Sequence, residues 1–129
     1  MGPAPNAYLY AMLGSALGGG ARLYLSTLVA RGLGTSFPWG TLAVNVLGCF
    51  AIGWLVTWAG LRGGLSPSAR LFLVSGLLGG FTTFSSFGME TWQLVEDGQV
   101  GTAALNAVGS VTAGLAAVAT GVWLARQLT

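Results

Sequence analysis

The sequence has no histidine and no lysine, one cysteine and three carboxylates in 129 residues. The missing histidine removes the side chain that most often moves protons or ligates metals near neutral pH. It also leaves no serine–base pair on which an intramembrane hydrolase could run. A single cysteine, Cys49, excludes a disulfide framework or a cysteine metal cluster within one chain. Lying in an apolar run, it reads as a small buried residue. The acids are Glu90, Glu96 and Asp97, and the five cations are all arginine, for a net charge of +2. So small and scattered a balance does not describe a nucleic-acid surface, and the formal pI of 9.2 adds nothing. No cation precedes the first apolar run, since the first arginine is Arg22, so no cleaved leader is expected.

What the chain has instead is hydrophobicity. Apolar residues make up 53% and charged residues 6%, with a mean hydropathy of +0.74, against about a quarter charged in ordinary soluble domains. This is the composition of an integral membrane protein. Stretches of about 20 apolar residues suffice to span, and four fit, at about 6–29, 38–61, 67–95 and 101–124. The expectation is one all-α domain of four transmembrane helices over 1–129. Pro38 and the pair Ser66-Pro67 are helix-start signals, because proline at the first turn loses no hydrogen bond. Trp39, Trp58, Trp92 and Trp123 fall near predicted helix ends, where amphipathic rings suit the headgroup region.

The third span carries an anomaly. Its stretch SGLLGGFTTFSSFGMET, from Ser75 to Thr91, places two adjacent glycines, hydroxyls and phenylalanines near mid-membrane. Backbone leaves a helix at that depth only where protein or a wet cavity satisfies the released groups. The expected break is Gly79-Gly80; the alternative is an intact helix using glycine for close approach. Small residues recur as Gly14 and Gly18 in the first helix, Gly40, Gly48 and Gly53 in the second, and Gly101 and Gly109 in the fourth. With no hydrophobic force between helices in lipid, such faces supply association by close packing. Four thin spans enclose little room for a private pore, so an oligomer is expected.

Orientation signals are weak. One side of the membrane receives Arg62, Arg70 and Arg126, the other Arg22 and Arg31. Three against two hardly biases insertion under the positive-inside rule. Dual topology follows as an expectation, and with it an antiparallel homodimer about an axis in the membrane plane, a symmetry that larger transporters build by inverted repeats.

Polar positions cluster. Thr41, Asn45 and Gly48 share one face of the second helix, and Asn106 and Ser110 stand one turn apart on the fourth. If helix resumes after the glycines, Phe84 and Phe87 face one side with Ser85 and Ser86 beside them. Phenyl rings carry positive edges, and hydroxyl and amide protons can replace an anion's water. Uncharged groups also release what they bind, as conduction requires. Arg22 is either an anchor snorkelling to the membrane edge or an anion-attracting vestibule residue. Glu90 either lines a water-filled mouth or caps a packing contact.

These residues carry a resemblance. GGFTTFSSF, together with TLAVNVLG and GGGAR, resembles the Fluc fluoride-channel family, also called CrcB, over nearly the whole chain. The resemblance implies a passive channel, not an enzyme, exporting fluoride from the microbial cytoplasm across the inner (plasma) membrane. It implies an antiparallel homodimer in lipid with two fluoride pores and a structural sodium ion at its centre. In that pattern Asn45, Phe84 and Phe87 line the pore, Ser110 joins them from the fourth helix, and the sodium ligands are the carbonyls of Gly79 and Thr82. Ser86 stands where the pattern has threonine, and the hydroxyl survives. A broken helix suits both ions: the first half ends in free carbonyl oxygens, the second begins with N–H groups and a positive dipole end.

The main rival is a small multidrug-type, dual-topology, proton-coupled exporter. Such a transporter needs a titratable carboxylate within the bundle, characteristically in its first helix, and here that helix has none. A membrane scaffold without transport would use the small-residue packing but gives no reason for FTTFSSF.

Overall fold

A computed structural model describes residues 2–129, and the described residues are helical with no strand. The first helix, α1, runs Pro5–Leu33 and stops at Gly34, whose φ of 86° suits glycine. The second, α2, is Trp39–Gly60, with Pro38 at its N-cap. The third segment opens with α3, Pro67–Arg70, where the Ser66 hydroxyl accepts from the Ala69 N–H at 3.2 Å and Pro67 occupies the first turn. Ser66-Pro67 therefore starts its helix as expected, with proline in the first turn, whereas Pro38 stands one position earlier than expected, at the N-cap and without a side-chain cap bond. The segment continues as a π-helical stretch, Leu71–Leu78, then α4, Gly79–Phe81, and α5, Phe84–Glu96. A turn containing Gly98, at φ 77°, leads into α6, Val100–Gln127.

Three of these stretches are long and apolar enough to cross a membrane: Trp39–Gly60, Pro67–Glu96 and Val100–Gln127. At 1.5 Å per residue the shortest, with 22 residues, extends about 33 Å, against a hydrocarbon core of about 30 Å. At the end of α2 the Arg62 guanidinium lies over the Trp58 ring, 4.8 Å from its centroid, so the cation is held by a ring face.

The third segment breaks two residues later than the glycine pair. Gly79 is helical, at φ −62° and ψ −39°, while Thr82 (φ −89°, ψ 158°) and Thr83 (φ −148°, ψ 116°) are extended. The reason Gly80 stays helical lies across the interface. A Cβ at Gly80 would sit 2.7 Å from the Ser15 carbonyl oxygen on α1, and one at Gly76 would meet Ala11 O at 2.8 Å. The mutual closeness is completed from α1, where a Cβ on Gly14 or Gly18 would collide with the backbone of Phe72 or Leu77. Two backbones are thus in direct contact, the arrangement by which small residues bind helices in lipid.

The same device joins α2 to α6. A Cβ on Gly53 would lie 2.5 Å from Val118 O, and one on Gly121 would run into Phe50 O. In α6 the packing glycines are Gly114 and Gly121; a Cβ at Gly101 or Gly109 meets nothing within 4 Å, so those two do not serve the interface expected of them. Val44, Asn106, Ala103 and Ala125 are the most buried side chains, all on α2 or α6. Much larger apolar groups, Leu17, Leu23, Leu105 and Leu115 among them, are exposed, as lipid or a second subunit requires.

Candidate functional site

The break is stitched from the side. Asn45 on α2 accepts from the Thr83 N–H through Oδ1 at 2.7 Å and donates from Nδ2 to the Thr83 carbonyl at 3.0 Å. A carboxamide presents the same donor and acceptor as a backbone peptide, so it replaces the missing helical partners in one residue. Thr83 in turn caps α5, its Oγ1 accepting from the Ser86 N–H at 3.1 Å. Thr82 folds back on the preceding turn, its N–H and its Oγ1 both donating to Leu78 O at 3.1 Å. In an unbroken helix the Thr83 N–H would bond the Gly79 carbonyl; Asn45 has taken it instead.

Beside this stitch runs a groove of about 380 Å³. Asn45, Gly48 and Cys49 form its α2 wall, Thr82, Thr83, Phe84 and Phe87 its broken-segment wall, and Ser110 with Gly114 its α6 wall. Gly79 also borders it. Among the described residues, no charged one lines the groove. The rings of Phe84 and Phe87 lie 5.5 Å apart and tilted 43°, within the centroid spacing at which aromatic pairs interact. Phe84 is 81% exposed, an unusual position for a large aromatic unless another surface or a path covers it.

A second cavity, of about 580 Å³, lies towards the other end of α2 and is lined by Thr41, Glu90, Arg31, Trp39, Gln93 and Asp97 among others. Thr41 donates to Glu90 Oε1 at 2.7 Å. The second carboxylate oxygen, Oε2, is buried and has no partner among the described residues. Thr41 and Asn45, one turn apart on α2, thus face successive cavities.

Of the residues singled out in the sequence, Asn45, Phe84, Phe87 and Ser110 meet in the groove, with Gly79 and Thr82 at its edge. Thr41 and Glu90 meet in the second cavity. Ser85 and Ser86 line neither of these two cavities; the Ser85 hydroxyl lies 3.4 Å from Thr83 Oγ1, and Ser86 contributes its N–H to the cap. Arg22 also lines neither. Its Nε donates to the Gly80 carbonyl at 3.0 Å, so it satisfies a backbone acceptor just ahead of the break, and the arginine in the cavity is Arg31. Thr83 was not singled out, although a threonine three residues ahead of a serine N–H at a helix start is a legible cap signal.

An all-helical, multi-pass membrane protein with a broken span and an uncharged, aromatic-lined groove is the class that the fold and the site define. The profile of the family described as CrcB-like protein, Camphor Resistance (CrcB), matches residues 9–122. A fluoride-specific ion channel FluC of Thermus thermophilus is 54% identical over 108 residues, covering 84% of this chain and 86% of that one. One of Opitutus terrae is 50% identical over 113 residues, 86% of each chain, and one of Rhodopseudomonas palustris is 42% identical over 122 residues, 95% of this chain and 98% of that one. The chain belongs to the CrcB family, and it is a multi-pass protein of the inner membrane.

Proposed function

We infer that the chain is a passive, fluoride-selective channel, a transporter and not an enzyme, as its relatives' names indicate for them. The observation that carries this reading is the convergence of Asn45, Phe84, Phe87 and Ser110 on one polar yet uncharged groove. Ring edges and hydroxyl protons can replace the water of a small anion, and with no fixed positive charge the ion is not trapped. The second cavity, where Arg31 stands with Thr41, Glu90 and Asp97, forms one mouth of the path, and the Asn45 stitch lies between it and the groove. With one copy inverted, that mouth opens to the cytoplasm in one path and to the exterior in the other, and net flow through a passive pore follows the fluoride gradient, outward from a loaded cytoplasm. Relatives named as ion channels give no support to a proton-coupled exporter.

The active unit is an antiparallel homodimer with two such paths, each chain contributing four spans. Supporting the fourth span, α1 is 29 residues long and exposes Leu9, Met12, Leu13, Leu17 and Leu28, a lipid-facing complement to its glycine face. The three-to-two arginine split supports both insertions, and the 81% exposure of Phe84 leaves a wall of the groove for a second copy to complete.

Gly79 and Thr82 suit a structural sodium ion on the dimer axis. The Gly79 carbonyl has lost its helical donor to Asn45, and Thr82 is extended at the break, so two chains would bring four oxygens of the kind hard cations take. When bound, sodium would supply charge that satisfies those oxygens at a depth where water cannot.

The test is fluoride efflux from proteoliposomes followed by electrode, with chloride as control. Fluoride efflux far above empty liposomes, with little chloride, is expected. Equal fluxes of both anions, or none of either from folded protein, would overturn the reading.

A further inference from the structure

Asn106 on α6 is 2% exposed and forms no part of either cavity wall, yet it reaches the groove through Ser110. The hydrogen bonds around it have a fixed direction. Thr91 Oγ1 lies 2.7 Å from the Phe87 carbonyl, which only accepts, so the single hydroxyl proton of Thr91 goes there. The 2.8 Å contact between Asn106 and Thr91 Oγ1 must then be donated by Nδ2 of Asn106. With the amide so oriented, its Oδ1 faces Ser110, and the Ser110 hydroxyl donates to it at 3.2 Å. The one proton that Ser110 could offer an anion is therefore held by Asn106, while Ser110 is itself a lining residue of the groove, as is Phe87.

We propose that Asn106 sets how strongly the groove holds fluoride, by competing with the anion for the Ser110 hydroxyl proton. This rests on the groove being the fluoride path. A hydroxyl rotates about its Cβ–Oγ bond without moving a heavy atom, so Ser110 can give up Asn106 and turn its proton to an arriving ion. Fluoride then gains a donor, but only at the expense of the bond to Asn106. The exchange keeps the site weak enough to release its ion, which a pore needs more than tight binding. Thr91 is the second positioning residue, since its commitment to Phe87 O is what prevents the amide from turning over.

The experiment measures efflux against fluoride concentration in proteoliposomes for wild type, Asn106→Leu, Ser110→Ala and the double variant. Leucine keeps the volume and removes the acceptor, so the Ser110 proton is free. The half-saturating fluoride concentration should fall about fivefold, the factor equal to one hydrogen bond of about 1 kcal/mol, and maximal flux should fall with it as release slows. In the Ser110→Ala background the leucine substitution should shift half-saturation by less than about twofold. A purely structural Asn106 would lower the number of working channels and hence maximal flux, leaving half-saturation where it was; that outcome, or an equal shift without Ser110, overturns the proposal. Ser110→Ala with wild-type flux at every concentration would instead remove Ser110 from the path, which is a failure of the groove reading and of the proposal together. Should Asn106→Leu not assemble, Thr91→Val lets the amide turn its NH2 group to Ser110 and should lower half-saturation in the same direction; an unchanged value there overturns the idea as well.

Discussion

Asn45 holds both backbone groups of Thr83, accepting from its N–H at 2.7 Å and donating to its carbonyl at 3.0 Å. One side chain on α2 therefore substitutes for the helical continuity that the third segment gives up at its midpoint.

Asn45→Ala should damage the protein twice. It strands a donor and an acceptor where lipid offers nothing, at about 1–3 kcal/mol for each group, so thermal stability in detergent should drop and fluoride flux with it. Asn45→Asp is the sharper variant. It can still accept from the Thr83 N–H, but it loses the donor and, when ionised, faces the groove with a negative charge. Some stability should go with the unpaired Thr83 carbonyl, and in the protein that remains folded flux should be reduced at least tenfold, about 1.4 kcal/mol in the rate; wild-type flux would contradict it.

How much of this was readable from the sequence differs residue by residue. The start of α3 was legible because its signal is local: Ser66 and Pro67 act within one turn. That the third segment breaks was legible too, since glycines and hydroxyls at mid-membrane depth need a reason. Where it breaks was not. Gly79-Gly80 has the weaker local preference for helix, but Gly80 is fixed by the approach of α1 and the break falls to Thr82-Thr83, which Asn45 receives. Both facts lie in other helices. Arg22 likewise reads as a membrane-edge cation until its partner, the Gly80 carbonyl 58 residues away, is known. For α6 a list of glycines cannot say which face is turned inward, and the inward ones are Gly114 and Gly121.

That distinction is testable. Gly18→Val and Gly53→Val place carbon against the Leu77 or Val118 backbone, which cannot give way as a flexible side chain would. Each should destabilise the protein by about 1–3 kcal/mol or more. Gly101→Ala and Gly109→Ala meet nothing within 4 Å and should be neutral or slightly stabilising through helix propensity. Melting temperatures in one detergent separate the pairs; a large loss at Gly109 would show that its face is covered in the dimer.

Sodium dependence can be separated from packing at the same segment. Within one chain a Cβ at Gly79 would meet only Val74 O, at an ordinary 3.6 Å. Gly79→Ala should therefore fold, and any loss of activity reports on what lies beyond the chain, the ion or the second subunit. Thr82→Ala keeps the proposed carbonyl ligand and should be milder. Reconstitution with a larger cation in place of sodium should reduce flux, while a sodium gradient should not drive it. Flux that scales with the gradient would mean coupled transport and would overturn the structural role.

Topology follows from the arginine split. A C-terminal reporter of sidedness should find copies facing both ways, and a single location for all of them would rule out the antiparallel dimer. Adding two or three arginines to one short connection should force one orientation and abolish flux. Co-expression of oppositely biased copies should restore it.

The aromatic pair gives the most direct test of the path. Phe84 is 81% exposed, and its ring stands 5.5 Å from that of Phe87. Isoleucine at either position keeps apolar bulk, so if the rings merely fill space the loss should stay within about 1.5 kcal/mol of stability. At Phe84 even that is an upper bound, because so little of the ring is packed within the chain. If the rings line the path, the outcome is different in kind. An aliphatic wall has no positive edge, so a fluoride ion stripped of part of its water meets nothing that replaces it, and each site becomes a barrier. Flux from Phe84→Ile and from Phe87→Ile should then collapse while the protein purifies with its wild-type oligomeric state and melting temperature. Well-folded isoleucine variants that pass fluoride at wild-type rates would make the pair a packing feature and move the path elsewhere.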